Sequence, residues 1–405
     1  MLGIFVVLAS VLGITIYISL FKLIDNDFWW HVKAGEIMWK TQSLIHTEPF
    51  SYVLTGKPYG ALHEWLSQII FYLIFHATGV TGAILLRGIA SAAAALVLLS
   101  IDFKSAFLTA PLVIIGLYLH RPSLMVRPQL FTIVLLCLSM AMMFGYVRNR
   151  ERSVATRRER RTFFLCILFM QMLWVNLHGA SAIFGVLSTL ALFLQGLYDW
   201  YRKNGDQADT MRELRFRAVL LGTAFLAMLA SPNLFKTFFD LYMHRFDATI
   251  PLVREWMPLI WHDYATDVLP FGIAAAIMVL LQRRAWVLCT TLLIIMGLLS
   301  RTAYRHCILF VLLCLGIIIF QLSAYPPWLR LRSRILHFPL LAHLVGVLLL
   351  LLLWWQFYQA DLRGVYKTND AGFGIGIPVK GAVEFAEREG LNGTLFNTYN
   401  QGGYI

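Results

Sequence analysis

Charge is what this chain has least of. Asp, Glu, Lys and Arg together supply 14% of its 405 residues, against 59% hydrophobic residues, and the mean hydropathy is +0.68. Soluble domains carry about a quarter charged residues to keep their surface in water, so that class is excluded. Cysteine is scarce too: Cys137, Cys166, Cys289, Cys307 and Cys314 lie in or beside apolar runs without disulfide or zinc spacing. They read as small core residues, which excludes a disulfide-stapled module and a zinc ribbon. The alternation of a membrane barrel is missing, because runs such as Val347 to Trp355 are apolar on every face. Matched half-sequences with corresponding Gly/Pro-broken runs, a mark of many transporters, are absent as well.

What is present is apolar helix. Stretches long enough to cross about 30 Å of hydrocarbon recur along most of the length, and lipid leaves the helix as the spanning element. Acids are the scarcer charge, 22 against 34 basic residues, for a formal net charge of +12. In a soluble chain that excess would suggest nucleic acid; here the arginines cluster in short loops between apolar runs, where they orient the chain. Arg148 to Arg161, Tyr201 to Arg217, Arg283 with Arg284, and Arg330 to Arg334 all belong on the cytoplasmic side. Parity then predicts an all-α polytopic membrane protein of about eleven transmembrane helices, with the N-terminus cytoplasmic and the C-terminus external. The spans fall near 2–22, 83–100, 105–120, 129–147, 162–177, 180–198, 217–231, 266–282, 285–300, 303–323 and 338–357. The first run lacks a basic start and a clear cleavage site, so it is expected to be retained.

Two apolar pieces would upset that parity if they crossed. "EWLSQIIFYLIFHATG", Glu64 to Gly79, is expected to lie flat or re-enter, and "NLFKTFFDLYMHRF", Asn233 to Phe246, to lie along the outer surface. The division is thus a membrane domain over 1–357, with a large external loop of interfacial helices over 23–82, and a short α/β external piece over 358–405. In that piece the pattern predicts a helix from Val379 to Glu389 and a strand through Leu395 to Tyr399. It cannot bury a core alone, so either an outer domain begins here or the piece docks on the membrane part.

This topology sends most of the unusual polar residues to one face. The stretch "LIDNDFWWHVKAGE", Leu23 to Glu36, places Asp27 and His31 four apart on one side of a helix, with Gly35 a turn further and Asp25 just before. Two carboxylates so close repel, which raises the pKa of at least one. The plainer reading is that Asp25 or Asp27 caps the helix while Trp29, Trp30 and Trp39 form an interfacial belt. Arg121, Arg127, Arg301 and Arg305, the last beside His306, fall in outer turns where orientation bias predicts few arginines. Each could grip a phosphate through its planar fork, or snorkel to a lipid head group. His178, in "WVNLHGAS", is either a capping residue at a tight turn or a site residue. His63 with Glu64 could line an acceptor pocket or join Asp25 and Asp27 around a divalent metal, although no closed ligand set is visible. Glu255 is expected to pair with Arg254 or Arg245.

The order of features in the first loop resembles that of the C-type (GT-C) membrane glycosyltransferases, in the branch of the protein O-mannosyltransferases and lipid A aminoarabinose transferases. An acidic residue after the first span opens a flat helix here, Asp25 or Asp27 before "WWHVKAGEIMW". The link "PFSYVLTGKPYG" follows, then the helix "HEWLSQIIFYLIFHATG", then Arg87 in "LLRGIASAAAAL". The likeness covers about the first hundred residues well and the later layout loosely. It includes a pattern, "D.D.WWH…G…PFSY…G.PY..HEWL", shared with bacterial members of the superfamily. The chain departs from the branch in having Asp-Asn-Asp where an Asp-Glu pair is usual, and "LHEWL" where a His-Pro-Pro or Lys-Pro-Pro stretch stands.

The resemblance implies a bacterial plasma-membrane transferase using a polyprenyl-phosphate sugar donor and a glycan, lipid or protein acceptor on the outer face. An external carboxylate would be the base: Asp27, or alternatively Asp25. His31, His63, Glu64, Arg121, Arg127, His178, Arg301, Arg305 and His306 would bind substrate, with a divalent metal possible and nucleic acid not expected. The competing expectations are a flippase of lipid-linked sugars, which needs no base, and a membrane assembly protein without chemistry.

Overall fold

The structure is a computed structural model that describes residues 2–152, 156–202, 206–234, 236, 253–362, 372–377, 379–391, 393, 395 and 404. The surface helix expected over 233–246 and the strand expected over 395–399 lie almost entirely outside these residues. In chain order the helices are α1 (Leu2–Ser19), α2 (Asp27–Thr41), α3 (Trp65–Ser100), α4 (Ala106–Leu119), α5 (Gln129–Arg152), α6 (Arg157–Leu177), α7 (Ile183–Tyr201) and α8 (Gln207–Ala227). They continue as α9 (Trp261–Asp267), α10 (Leu269–Gln282), α11 (Trp286–Thr302), α12 (Cys307–Leu322), α13 (Pro326–Leu336), α14 (Pro339–Leu362) and α15 (Lys380–Arg388). Among the described residues no strand forms; Leu23 with Ile375 and Thr47 with Pro58 make isolated bridges.

Helix occupies all eleven segments expected to span, but fewer have the length and apolarity of a crossing on their own. Five do: Leu62–Ser100, Gln129–Arg152, Gly179–Tyr201, Tyr304–Leu322 and Leu340–Asp361. A sixth arises if α9 and α10, bent by 47°, count as one. Phe5–Ser19, Phe103–Leu119 and Trp286–Thr302 are apolar but shorter. The molecule is therefore an all-α membrane protein.

Because these helices are apolar all round, periodicity does not choose their buried face. Position in the bundle does. Every side chain of α12 from Cys307 to Gln321 is buried, whereas α14 leaves Leu344, Leu348, Leu352 and Trp355 exposed, as lipid-facing helices must. The long α3 is interrupted at Gly79, whose φ of 63° and ψ of −155° are not helical. A side chain at that φ would be strained. The break falls where the flat helix is expected to end and the span carrying Arg87 to begin.

A cluster of charge gathers at each end of α5. At its Arg150 end, Glu213 accepts from Tyr146 at 2.8 Å and from Arg217 at 3.0 Å, with Arg150 at 3.5 Å and Arg160 at 3.9 Å. Arg150 also holds Asp209 at 2.7 Å, and Arg217 faces Asp199 at 3.8 Å. Beside them Arg284 pairs with Glu151 at 2.6 Å. The other end begins just after Arg127.

Candidate functional site

α2 is set against the start of α3 by a glycine. A Cβ at Gly35 would lie 2.1 Å from the Gln68 carbonyl oxygen, so no other residue allows the two backbones to approach so closely. The same face of α2 carries His31 and Asp27, one and two turns earlier. Close packing of α2 on α3 thus brings both beside Glu64, at the N-terminal end of α3.

Arg127, in the connection from α4 to α5, is the hub. Its guanidinium grips Asp25 with both forks, Nε to Oδ2 at 2.5 Å and Nη2 to Oδ1 at 2.6 Å. It also pairs with Asp27 at 3.2 Å and with Glu255. Asp25 is consumed by this geometry: its side chain is 1% exposed, and Oδ1 additionally accepts the Asp27 backbone N–H at 3.1 Å. Asp27 is different, because its side chain remains 45% exposed. Its carboxyl is raised above the ordinary range by the surrounding protein, opposed by Arg127 and reinforced by Asp25 and Glu255.

Glu255 completes the group. The pairing expected with Arg254 or Arg245 rests on side chains outside the described ones; among the described residues its partners are Arg127 and Arg305, the latter at 3.6 Å. Three turns distant in sequence are thereby joined, which local charge spacing could not reveal. Arg305 also lies over the Trp256 ring at 4.3 Å, and its carbonyl accepts from Gln129 at 2.8 Å. His306 lies nearby, edge-on to Trp256 and Phe184.

Glu64 is ringed by imidazoles: His178 Nε2 at 3.5 Å, His63 Nε2 at 3.6 Å and His31 Nδ1 at 3.9 Å. His178 is positioned from two sides, its Nδ1 bonding Thr132 at 2.8 Å while Trp174 donates to the same hydroxyl at 3.0 Å. Trp65 donates to Asn176 at 2.8 Å and ties this turn to α3. Burial holds His31 and His178 neutral, helped by Arg127 and His63 for the first and by Arg305 and His63 for the second. Four carboxylates, Asp25, Asp27, Glu64 and Glu255, therefore face two guanidiniums, Arg127 and Arg305. Thr132 and Trp174 were invisible as site residues, since each sits within an apolar run with no local signal.

Arg121 and Arg301 stand apart from this group. Arg121 is 2% exposed and bonds Asp361 at 2.6 Å, tying the end of α14 to the connection after α4. Arg301 donates to the Leu259 carbonyl at 3.2 Å and lies over the Tyr264 ring at 4.6 Å. It stands at one end of an apolar groove of about 440 Å³ between α10, α11 and α12, lined by Tyr264, Gly272, Ile273, Leu293, Gly297 and Phe310 among others. Among the described residues no three His, Cys, Asp or Glu side chains are grouped so as to hold a metal.

No protein-family model and no curated protein matches the chain.

Proposed function

We propose that this protein is a membrane glycosyltransferase of the GT-C kind, taking a sugar from a polyprenyl-phosphate donor to an acceptor hydroxyl on the outer face of a bacterial plasma membrane. In this reading all eleven expected segments cross the bilayer and the acid cluster lies outside. One observation carries it: of the two neighbouring acids, Asp25 is locked on Arg127 while Asp27 stays exposed with a raised pKa. That is the division between a positioning carboxylate and a general base.

The chemistry divides among the residues as follows. Asp27 takes the acceptor proton as the acceptor oxygen bonds the anomeric carbon. The bond from that carbon to the phosphate oxygen breaks, and the lipid phosphate leaves with the electron pair. Arg301, beside the apolar groove, and Arg305 supply positive charge for the leaving phosphate, while the groove accommodates lipid chain. His31, His63, Glu64 and His178 form the polar wall on the acceptor side, where the neutral imidazoles of His31 and His178 hydrogen-bond without drawing a proton from Asp27. Arg121, committed to Asp361, has a structural part. No step is routed through a metal.

The test is turnover of a polyprenyl-phosphate sugar by the purified chain in detergent. Asp27→Asn should lower kcat by about 10²- to 10⁴-fold, the usual reach of a general base, with donor binding retained. Asp25→Asn should weaken both, because it loosens Arg127. Saturable donor binding that survives both substitutions, with no turnover from the unaltered chain, would instead favour a flippase.

A further inference from the structure

After α14 the chain turns polar, and part of it comes back to the site's first loop. The end of α1 leaves carbonyls without helical partners. Two are taken by Arg87, which is 1% exposed: Nε donates to the Ser19 carbonyl at 2.7 Å and Nη2 to that of Phe21, with the guanidinium over the Phe21 ring. Just beyond the helix, the Leu20 and Leu23 carbonyls are taken by the tail. Gly372 N–H donates to the Leu20 carbonyl at 3.2 Å. Leu23 N–H donates to the Gly374 carbonyl at 2.9 Å, and Gly376 N–H returns a bond to the Leu23 carbonyl at 2.8 Å. Leu23 and Ile375 thus form a parallel bridge, two residues before Asp25.

The tail is shaped for this contact. Gly372 and Gly374 have φ of +101° and +127°, a region that side chains rarely adopt. A Cβ at either would meet nothing within 4 Å, so the glycines answer a backbone requirement and not crowding. Leu23 is fully buried, as is Ile377 at 5% exposure. Farther along, Tyr404 meets Trp29 of α2 edge-on, with centroids 5.0 Å apart.

We propose that the segment 372–377 is a positioning clamp for the acid loop. By pairing with Leu23 it sets the register in which Asp25 reaches Arg127 and Asp27 is left facing the open side. The clamp touches no substrate; it acts through Asp27, whose charged neighbours are Arg127, Asp25 and Glu255, with Trp30 donating a hydrogen bond. Its importance for turnover rests on the reading of Asp27 as the base. The contact itself, and its effect on the Asp27 carboxyl, do not.

The experiment has two arms on the full chain. In a Cys166→Ser background, which removes the exposed native thiol, Leu23→Cys with Ile375→Cys should oxidise to a disulfide. Neighbouring strands lie about 4.8 Å apart, within disulfide reach. Leu23→Cys with Phe385→Cys should not. In the second arm, Gly374→Val removes the permitted backbone. Site-resolved labelling by a hydrophobic carbodiimide, which reacts with protonated carboxyls, should then show Asp27 titrating at a different pH from the unaltered chain. Where turnover is measurable, kcat should fall at least tenfold. If Gly374→Val does not fold, the double-cysteine chain decides, since its oxidised form should keep the Asp27 labelling profile and its turnover. Failure to form the disulfide overturns the proposal, and so does a folded Gly374→Val chain with an unaltered labelling profile. An inactive unaltered chain whose labelling still responds to Gly374→Val would defeat the transferase reading and leave the clamp standing.

Discussion

The two ends of α5 solve the same problem in opposite ways. Both gather charge from several helices across a helix of 24 residues, about 36 Å long at 1.5 Å per residue. At the Arg150 end, Asp199, Asp209 and Glu213 meet Arg150, Arg160 and Arg217, and each acid lies against a guanidinium. At the Arg127 end, four acids meet two guanidiniums, and three imidazoles crowd the fourth acid. A balanced network offsets much of its desolvation by mutual pairing, and removing one partner from it is costly. An unbalanced one leaves acids in excess of guanidiniums and room for a charged ligand, as functional sites do.

The comparison can be broken first at Glu213 and Asp27. Glu213→Ala leaves three guanidiniums facing a hole and should cost about 3–5 kcal/mol of stability, as breaking a buried pair does. Its signature is a lowered unfolding temperature in detergent, with turnover per folded molecule unchanged. Asp27→Asn should do the reverse, leaving unfolding temperature alone while turnover collapses. If both variants lose stability equally, the two ends are alike and the Arg127 cluster is a second staple.

A smaller effect is expected at Arg301. It donates to a backbone carbonyl and stacks on Tyr264, beside the apolar groove. Arg301→Gln should weaken binding of a lipid-phosphate donor by about 1.5–3 kcal/mol, the usual size for a charge-assisted hydrogen bond, with stability unchanged. Binding of the same donor unaffected by the change, measured by titration in detergent, would remove Arg301 from the site.

How much of this was legible in sequence follows from the range of the interactions involved. Helix positions were legible because apolar runs are local, and Gly79 was readable as a break because glycine punctuates helices. The gathering of Asp27, His31, Glu64, Arg127, His178 and Arg305 was readable only as a shared face, since loops between successive spans alternate sides by parity. Who binds whom was not. Arg127 lies 102 residues from Asp25 and 128 from Glu255, and nothing in either neighbourhood names the partner. Arg121 and Arg127 look alike in "HRPSLMVRPQ", yet one ties down α14 and the other holds the acid loop. The number of crossings was also beyond reach, because α6 opens on "RRERR", and short apolar helices can cross, tilt or lie flat with the same composition.

The smallest expected effect sharpens the contrast through pH. His31 is held neutral chiefly by burial, and its Nδ1 has no hydrogen-bond partner among the described residues. Unfolded, it would titrate near about 6.5. Its folded pKa lies well below that, so under pH 6.5 the unfolded chain binds the extra proton and folding loses ground as pH falls. Asp27 works with the opposite sign: its raised carboxyl takes a proton earlier in the folded chain, which adds stability as pH falls toward the ordinary carboxylate range. The overall stability curve mixes the two and decides nothing. The difference between the unaltered chain and His31→Leu isolates the first, because leucine fills the buried position without titrating. Any advantage of histidine over leucine should shrink steadily between pH 7 and pH 5. Parallel curves would mean that His31 titrates alike folded and unfolded, and an advantage that grows as pH falls would mean that it is charged when folded; either outcome would break the neutral imidazole wall beside Glu64.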